Sequence, residues 1–248
     1  MHVFTDISRH VARITFHYPP VNALPSLVLK ELETHLIGAG ERTEIKVIVL
    51  QSEGKTFCAG ADFEELLSLN NLRDAKEFFM SFGRIMNTMR RIPKPVLVRL
   101  QGKAVGGGLS LIAAADWSVA VPEAAFKLSE LSIGIGPYVI APAIIRKTGR
   151  AFFQAMSMRP FKWFSAFDLA KHGLITTVAE NIIAMDEQIE QMTDAYAGYD
   201  SEAIAALKAE CWNDTSDWER ILPLQAEKSA RLLLRRPVKD ILNRIKKS

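Results

Sequence analysis

Val96-Leu97-Val98-Arg99-Leu100, then Gly106-Gly107-Gly108, then the apolar residues 109–115, then Trp117-Ser118-Val119-Ala120-Val121 succeed one another along the chain. The first and last runs are short, apolar and rich in valine, the composition of buried strands. The apolar segment between them reads as a helix. Parallel neighbours in a sheet must be joined by a crossover, usually helical, so strand–helix–strand order points to a parallel sheet and an α/β chain. Three consecutive glycines cost backbone entropy, so this turn must need backbone without Cβ atoms.

The same order appears upstream. Residues 45–50 read as a buried strand and residues 54–61 as a loop. Within that loop Phe57-Cys58-Ala59-Gly60-Ala61-Asp62 leads into a helix beginning Phe63-Glu64-Glu65-Leu66, with Asp62 placed to cap it. Val11, Ile14 and Phe16 mark an earlier strand that Pro19-Pro20 ends. Leu24, Leu27, Val28, Leu32 and Leu36 have the three-and-four spacing of a helix, as do Phe78, Phe79, Phe82, Ile85, Met86 and Met89, which Pro93 and Pro95 stop. Beyond about residue 180 strand signals cease, and residues 182–195, 201–210, 217–234 and 238–245 read as helices. The expected division is an α/β core over 1–180 and a helical region over 181–248. Those helices need a surface to cover their apolar stripes, either the core or another subunit.

The 248 residues suit one large domain, and 48% hydrophobic content supports a sizeable core. A net charge of +3 does not suggest a nucleic-acid partner. No apolar run is long enough to span a bilayer, and Met1-His2-Val3-Phe4-Thr5-Asp6 lacks the pattern of a signal peptide. Two cysteines, Cys58 and Cys211, imply no disulfide framework, so the expected setting is reducing and cytoplasmic.

Each glycine- or alanine-rich turn places small residues before a helix, where the first N–H groups have no intrahelical acceptor. Either turn alone could be ordinary capping or close packing. A phosphate loop ending Gly-Lys-Ser/Thr is absent, and no Gly-x-Gly-x-x-Gly fits. Two such turns on neighbouring strands can aim N–H donors at one oxygen, an oxyanion hole, where each donor typically contributes about 3–4 kcal/mol to transition-state stabilisation.

From Val11 to Val178 the sequence resembles the crotonase, or enoyl-CoA hydratase/isomerase, superfamily. The resemblance is carried by Pro20-Val21-Asn22-Ala23-Leu24, by residues 57–62, by Gly102-Lys103-Ala104-Val105-Gly106-Gly107-Gly108, by Ala125-Phe126-Lys127-Leu128-Ser129-Glu130-Leu131-Ser132-Ile133-Gly134, and by residues 164–175. It implies a spiral of ββα units with a helical C-terminal trimerisation region, hence a homotrimer or hexamer. It implies an acyl-CoA substrate, with coenzyme A as part of the substrate and no separate cofactor. It assigns the two N–H donors to Ala61 and Gly107, and places Val21, Ala23 and Ala59, with Gly60, Asp62 and Gly106, along the substrate.

Typical hydratases of the family use two glutamates. One of these positions is Glu130 here; the other is Ser110, whose hydroxyl can hold water but cannot serve unaided as a base. A further family position, an acid in dienoyl-CoA isomerases, falls near Tyr138, which can close the pocket or simply pack. One carboxylate suffices to move a proton between two carbons, so the expected activity is that of a hydratase or isomerase passing through a thioester enolate. A decarboxylase of a carboxylated acyl thioester and a non-catalytic acyl-CoA binder remain the alternatives. Cys58 reads as a small hydrophobe, His10 and His172 have no metal-ligand spacing, and Lys103 reads as a loop lysine. The basic tail, Arg231 to Lys247, is either a solvated face or an attractor of coenzyme phosphates. A trimer, or a multiple of three, should be found by light scattering; a stable monomer at micromolar concentration would refute that assembly.

Overall fold

The run of apolar strands forms the spine of a six-stranded sheet in the computed structural model, which describes residues 2–246. β1 (His2–Ser8) and β2 (Val11–His17) make an antiparallel hairpin, followed by β3 (Ala23–Leu24) and α1 (Ser26–Glu41). Next come β4 (Val47–Ser52), β5 (Thr56–Cys58), β6 (Gly60–Ala61), α2 (Phe63–Ser68) and α3 (Leu72–Arg91). The middle of the chain supplies β7 (Val96–Leu100), β8 (Lys103–Val105), α4 (Gly108–Ala113), β9 (Trp117–Ala120) and β10 (Ala125–Lys127). After a 3-10 turn over Glu130–Ile133 come α5 (Ala141–Ser157), β11 (Phe164–Ser165), α6 (Ala166–Lys171) and β12 (Thr177–Val178). Four helices finish the chain: α7 (Ile182–Gly198), α8 (Ser201–Cys211), α9 (Trp218–Leu233) and α10 (Arg236–Lys246).

The main sheet has the order β1-β2-β4-β7-β9-β12, and every pair from β2 onward is parallel. Its central strands are buried nearly throughout, which explains why they read as continuous apolar runs. A second sheet, β11-β10-β8-β5, and the small pair β3-β6 form a further layer. These strands correct the expected loop over 54–61, which holds β5 and β6. They also insert β8 between Leu100 and the glycine run. Each spans only two or three residues, too short to display a period. The hairpin strand β1 is likewise absent from the sequence reading, because its burial is slight.

The helix expected from residue 24 starts at Ser26, after Pro25. Leu24 is buried in β3, while Leu27 is exposed. The first turn of α1 has no side-chain cap of its own. The Glu65 carboxylate of α2 fills that role, accepting from Ser26 N–H at 2.7 Å and Ser26 Oγ at 2.5 Å.

α9 packs along α3, and α10 along α2 and the 3-10 turn. Trp218, Leu222, Ala226, Val238 and Leu242 share one apolar core with the strands. Lys239 of α10 spends its ammonium on the carbonyls of Leu66, Leu67 and Leu69, at 2.7, 3.1 and 2.6 Å, capping the last turn of α2. Arg231 pairs with Glu227 and Lys246 with Glu64. Met1 and Lys247, which entered the sequence reading, lie outside the described residues. Among the described residues no helix is long and apolar enough to cross a membrane.

Asn22 ties the β2–β3 connection to β5. Its backbone is left-handed, φ 55°. Its side chain accepts from Tyr18 N–H at 2.7 Å and donates to the carbonyls of Glu53, Thr56 and Phe57 at 2.9, 2.8 and 3.2 Å. An unsatisfied buried polar group costs about 1–3 kcal/mol, and Asn22→Ala strands several at once. Its unfolding free energy in urea should fall by about 3 kcal/mol.

Candidate active site

β5 and β8 are parallel neighbours, so the chain leaves both at the same end of the second sheet. From β5 it passes through β6 into α2; from β8 it passes directly into α4. Gly60 is left-handed, φ 91°, and a Cβ there would stand 2.8 Å from the Val105 carbonyl oxygen and 3.5 Å from Gly107 N. The two turns therefore touch, backbone to backbone. Gly106, φ 53°, faces the third element of the site: a Cβ there would stand 2.9 Å from Glu130 Oε1.

The N–H directions follow from this packing. Ala59 donates to Asn22 O at 3.0 Å and Asp62 to Leu24 O at 3.2 Å, both toward β3. Ala59 and Asp62 are three residues apart and still face the same edge, so the alternation of a regular strand breaks between them, at the left-handed Gly60. Gly106 N–H is held by Lys127 O at 2.9 Å, and Gly107 directly precedes α4, where N–H groups have no intrahelical acceptor. Asp62 accepts from Glu65 N–H at 2.8 Å, the expected cap of α2.

Glu130 opens the 3-10 turn after β10. Its Oε2 is buried and, among the described residues, has no hydrogen-bond partner. Burial pushes its pKa up from 4.5 to about 7, an effect that its own backbone N–H partly offsets. This carboxyl lines a narrow cavity of about 50 Å³ together with Ala59, Gly60, Ala61, Gly106 and Gly107. The remaining wall is almost entirely apolar: Phe63 and Leu66 of α2, Phe79 and Phe82 of α3, and Ile133, Ile135, Val139 and Ile140. Ser129 and, from α9, Ser229 are the other side chains with polar atoms in this wall.

Five residues expected at the substrate stand outside the wall. Val21 is exposed and Ala23 half-buried on the strand beside Gly60, so both flank the turn from without. Asp62 is occupied as a cap. Ser110 is fully buried, its hydroxyl donates to Gly107 O at 2.6 Å, and it does not line the cavity. Tyr138 is corrected from pocket residue to surface residue: a tight turn bonds its N–H to Gly136 O at 2.8 Å and folds the ring back against Gly136. Ser229 and the phenylalanines of α2 and α3 were missed. Nothing local in the sequence marks Ser229, since only the packing of α9 on α3 brings it here.

Cys58 sits in the same dry surroundings. Burial pushes its thiol up to about 12, and it accepts weakly from Gly60 N–H at 3.4 Å, the behaviour of a small hydrophobe. Lys103 lies 5.2 Å from the Trp163 ring centre, and His172 stacks on Phe152 at 3.7 Å. Among the described residues no cluster of three or more His, Cys, Asp or Glu could hold a metal.

The parallel α/β fold thus brings two small-residue turns and one buried carboxyl to a single apolar cavity. The chain belongs to the enoyl-CoA hydratase/isomerase family, whose sequence model matches residues 6–233. It is 29% identical over 226 residues to a Bacillus subtilis (strain 168) protein named "Probable enoyl-CoA hydratase", covering 90% of this chain and 86% of that one. The crystal structure of an enoyl-CoA hydratase from Bacillus halodurans shares its fold with a TM-score of 0.92 at 23% identity, covering 98% of this chain and all, 100%, of that one. An enoyl-CoA hydratase from Mycobacterium avium superposes with a TM-score of 0.85 at 26% identity, covering 99% of this chain and 96% of that one.

Burial of Glu130 makes stability depend on pH. The folded protein holds this proton more tightly than the unfolded chain, so its stability falls as pH rises from about 4.5 to about 7. That interval corresponds to about 3 kcal/mol at about 1.4 kcal/mol per pH unit. Glu130→Gln removes the titration. Between pH 4 and pH 8 its stability, measured by denaturant unfolding, should gain about 3 kcal/mol on the parent protein.

Proposed function

We propose that this protein binds an acyl-CoA thioester with the thioester oxygen between the N–H groups of Ala61 and Gly107, and that Glu130 moves a proton on the acyl chain. The observation that carries this reading is the buried Oε2 of Glu130, without a partner among the described residues, in the apolar cavity that both turns border. A proton taken from carbon next to a thioester leaves an enolate, and preorganised N–H donors stabilise its oxygen. A carboxyl with a pKa near 7 has the acidity suited to both taking and returning that proton near neutral pH. The coenzyme part would run outward past Val21 and Ala23, and the narrow apolar cavity suits a short, unsubstituted acyl chain. No cofactor beyond the substrate's own coenzyme A is needed for this chemistry.

Double-bond isomerisation fits best. Ser110 stands where typical hydratases of the family carry a second glutamate, and its hydroxyl is committed to Gly107 O. Water addition then lacks a second carboxylate to hold and activate the water. Decarboxylation would use the same two N–H groups, but an ionised Glu130 would repel a substrate carboxylate in the same cavity. A non-catalytic binder would gain nothing from the desolvation of Glu130.

Free coenzyme A should raise the melting temperature of both the parent protein and Glu130→Gln by mass action. In a panel of enoyl-, dienoyl- and carboxylated acyl-CoAs, isomerase turnover should dominate and fall about 100-fold in Glu130→Gln. For the parent, kcat/KM should rise with pH through a midpoint near 7, because the base acts ionised. Fast hydration of crotonyl-CoA that survives Glu130→Gln would sink this mechanism.

A further inference from the structure

A second cavity, of about 220 Å³, opens among α5, α7, α8 and the segment that joins α4 to β9, and shares no lining residue with the first. We propose that it binds a small monocarboxylate with a short aliphatic chain, anchored on the ammonium of Lys147.

Three observations converge on that ligand. The first is an unspent cation. Lys147 Nζ donates to Ala115 O at 2.7 Å, and among the described residues no carboxylate lies within ion-pair distance of it. An ammonium has three N–H groups to place. Burial pushes its pKa down to about 8, with Asp116 opposing the shift, so at neutral pH it is mostly charged and poorly solvated.

The second is that the other charges facing this cavity are already matched. Lys208 pairs with Asp116 at 2.7 Å and donates to the carbonyls of Met89 and Lys94, each at 2.8 Å. Asp116 also accepts from Trp212 Nε1 at 3.0 Å and Val96 N–H at 2.8 Å. Arg146 is paired with Asp214 at 2.9 Å and lies 4.1 Å from the Trp212 ring centre. The surplus is one positive charge. A second anionic group on the ligand would meet Asp116 rather than a cation, so one carboxylate is favoured over a dicarboxylate or a phosphate.

The third is the apolar remainder of the wall. Trp212, Ile204 and Leu207 line it, and Leu207 is 66% exposed at its edge. That surface suits a chain of a few methylene groups, each contributing about 0.8 kcal/mol when fully buried. Tyr196, also in the wall, makes no side-chain hydrogen bond among the described residues and is free to donate to the second carboxylate oxygen.

Hexanoate is a suitable probe, with hexanol as its uncharged control. Cys211 lines this cavity and is exposed, whereas Cys58 is buried, so a maleimide reports on Cys211. Millimolar hexanoate should raise the melting temperature and slow maleimide labelling of Cys211, and hexanol should do neither. Lys147→Met should weaken hexanoate at least about tenfold, while Glu130→Gln and added coenzyme A should leave it unchanged. If Lys147→Met does not fold, capping Cys211 with a bulky maleimide in the parent protein decides: the hexanoate shift must disappear. The proposal is overturned if hexanoate has no effect, if hexanol matches it, if the shift survives Lys147→Met or the Cys211 cap, or if coenzyme A displaces it.

Discussion

Gly60 and Val105 lie in contact, main chain on main chain, where a single methyl group would come within 2.8 Å of a carbonyl oxygen. Remove that approach and the two turns that lead into α2 and α4 must part. The surrounding polar contacts serve it. Asn22 gathers three carbonyls around β5, Asp62 caps α2, and Glu65 crosses from α2 to the start of α1. Each bond contributes about 1 kcal/mol net, too little to set the geometry alone. Together, on a sheet already fixed by its buried apolar strands, they leave the turns little freedom.

The same dry environment acts differently on the two ionisable groups beside these turns. Desolvation disfavours the charged form of each. For Glu130 it moves the pKa from an acid value to about 7, which makes the carboxylate a stronger base when it is formed. For Cys58 it moves the thiol to about 12, which removes the thiolate altogether near neutral pH. One physical effect therefore arms the carboxyl and silences the sulfur a short distance away. The apolar walls from α2 and α3, with Leu66, Phe79 and Phe82, are part of one continuous core whose burial offsets that destabilisation.

Much of this could be read from the residues. The long helices and the parallel strands β4, β7 and β9 announce themselves through spacing and apolar runs. The turns at 57–62 and 106–108, with Glu130, stand out as motifs, and the structure brings them to one cavity. Legibility fails where elements are short or where partners are distant in sequence. β5, β6 and β8 have too few residues to show a period, and Ser229 reaches the cavity only through the packing of α9 on α3. Tyr138 and Ser110 show a different limit: sequence position locates a Cα, but a tight turn at Gly136 and a bond to Gly107 O decide where the side chains go.

The clip formed by Lys239 on the last carbonyls of α2 has a consequence for the order in which the molecule is made. A ribosome delivers both sheets, both turns and Glu130 long before it delivers α9 and α10. During that interval α2 ends without its cap, and the cavity beside Glu130, already walled by α2, α3 and residues 133–140, lacks only Ser229 of α9. A messenger cut short before these helices would encode every motif of the cavity and leave the last carbonyls of α2 without the ammonium that holds them.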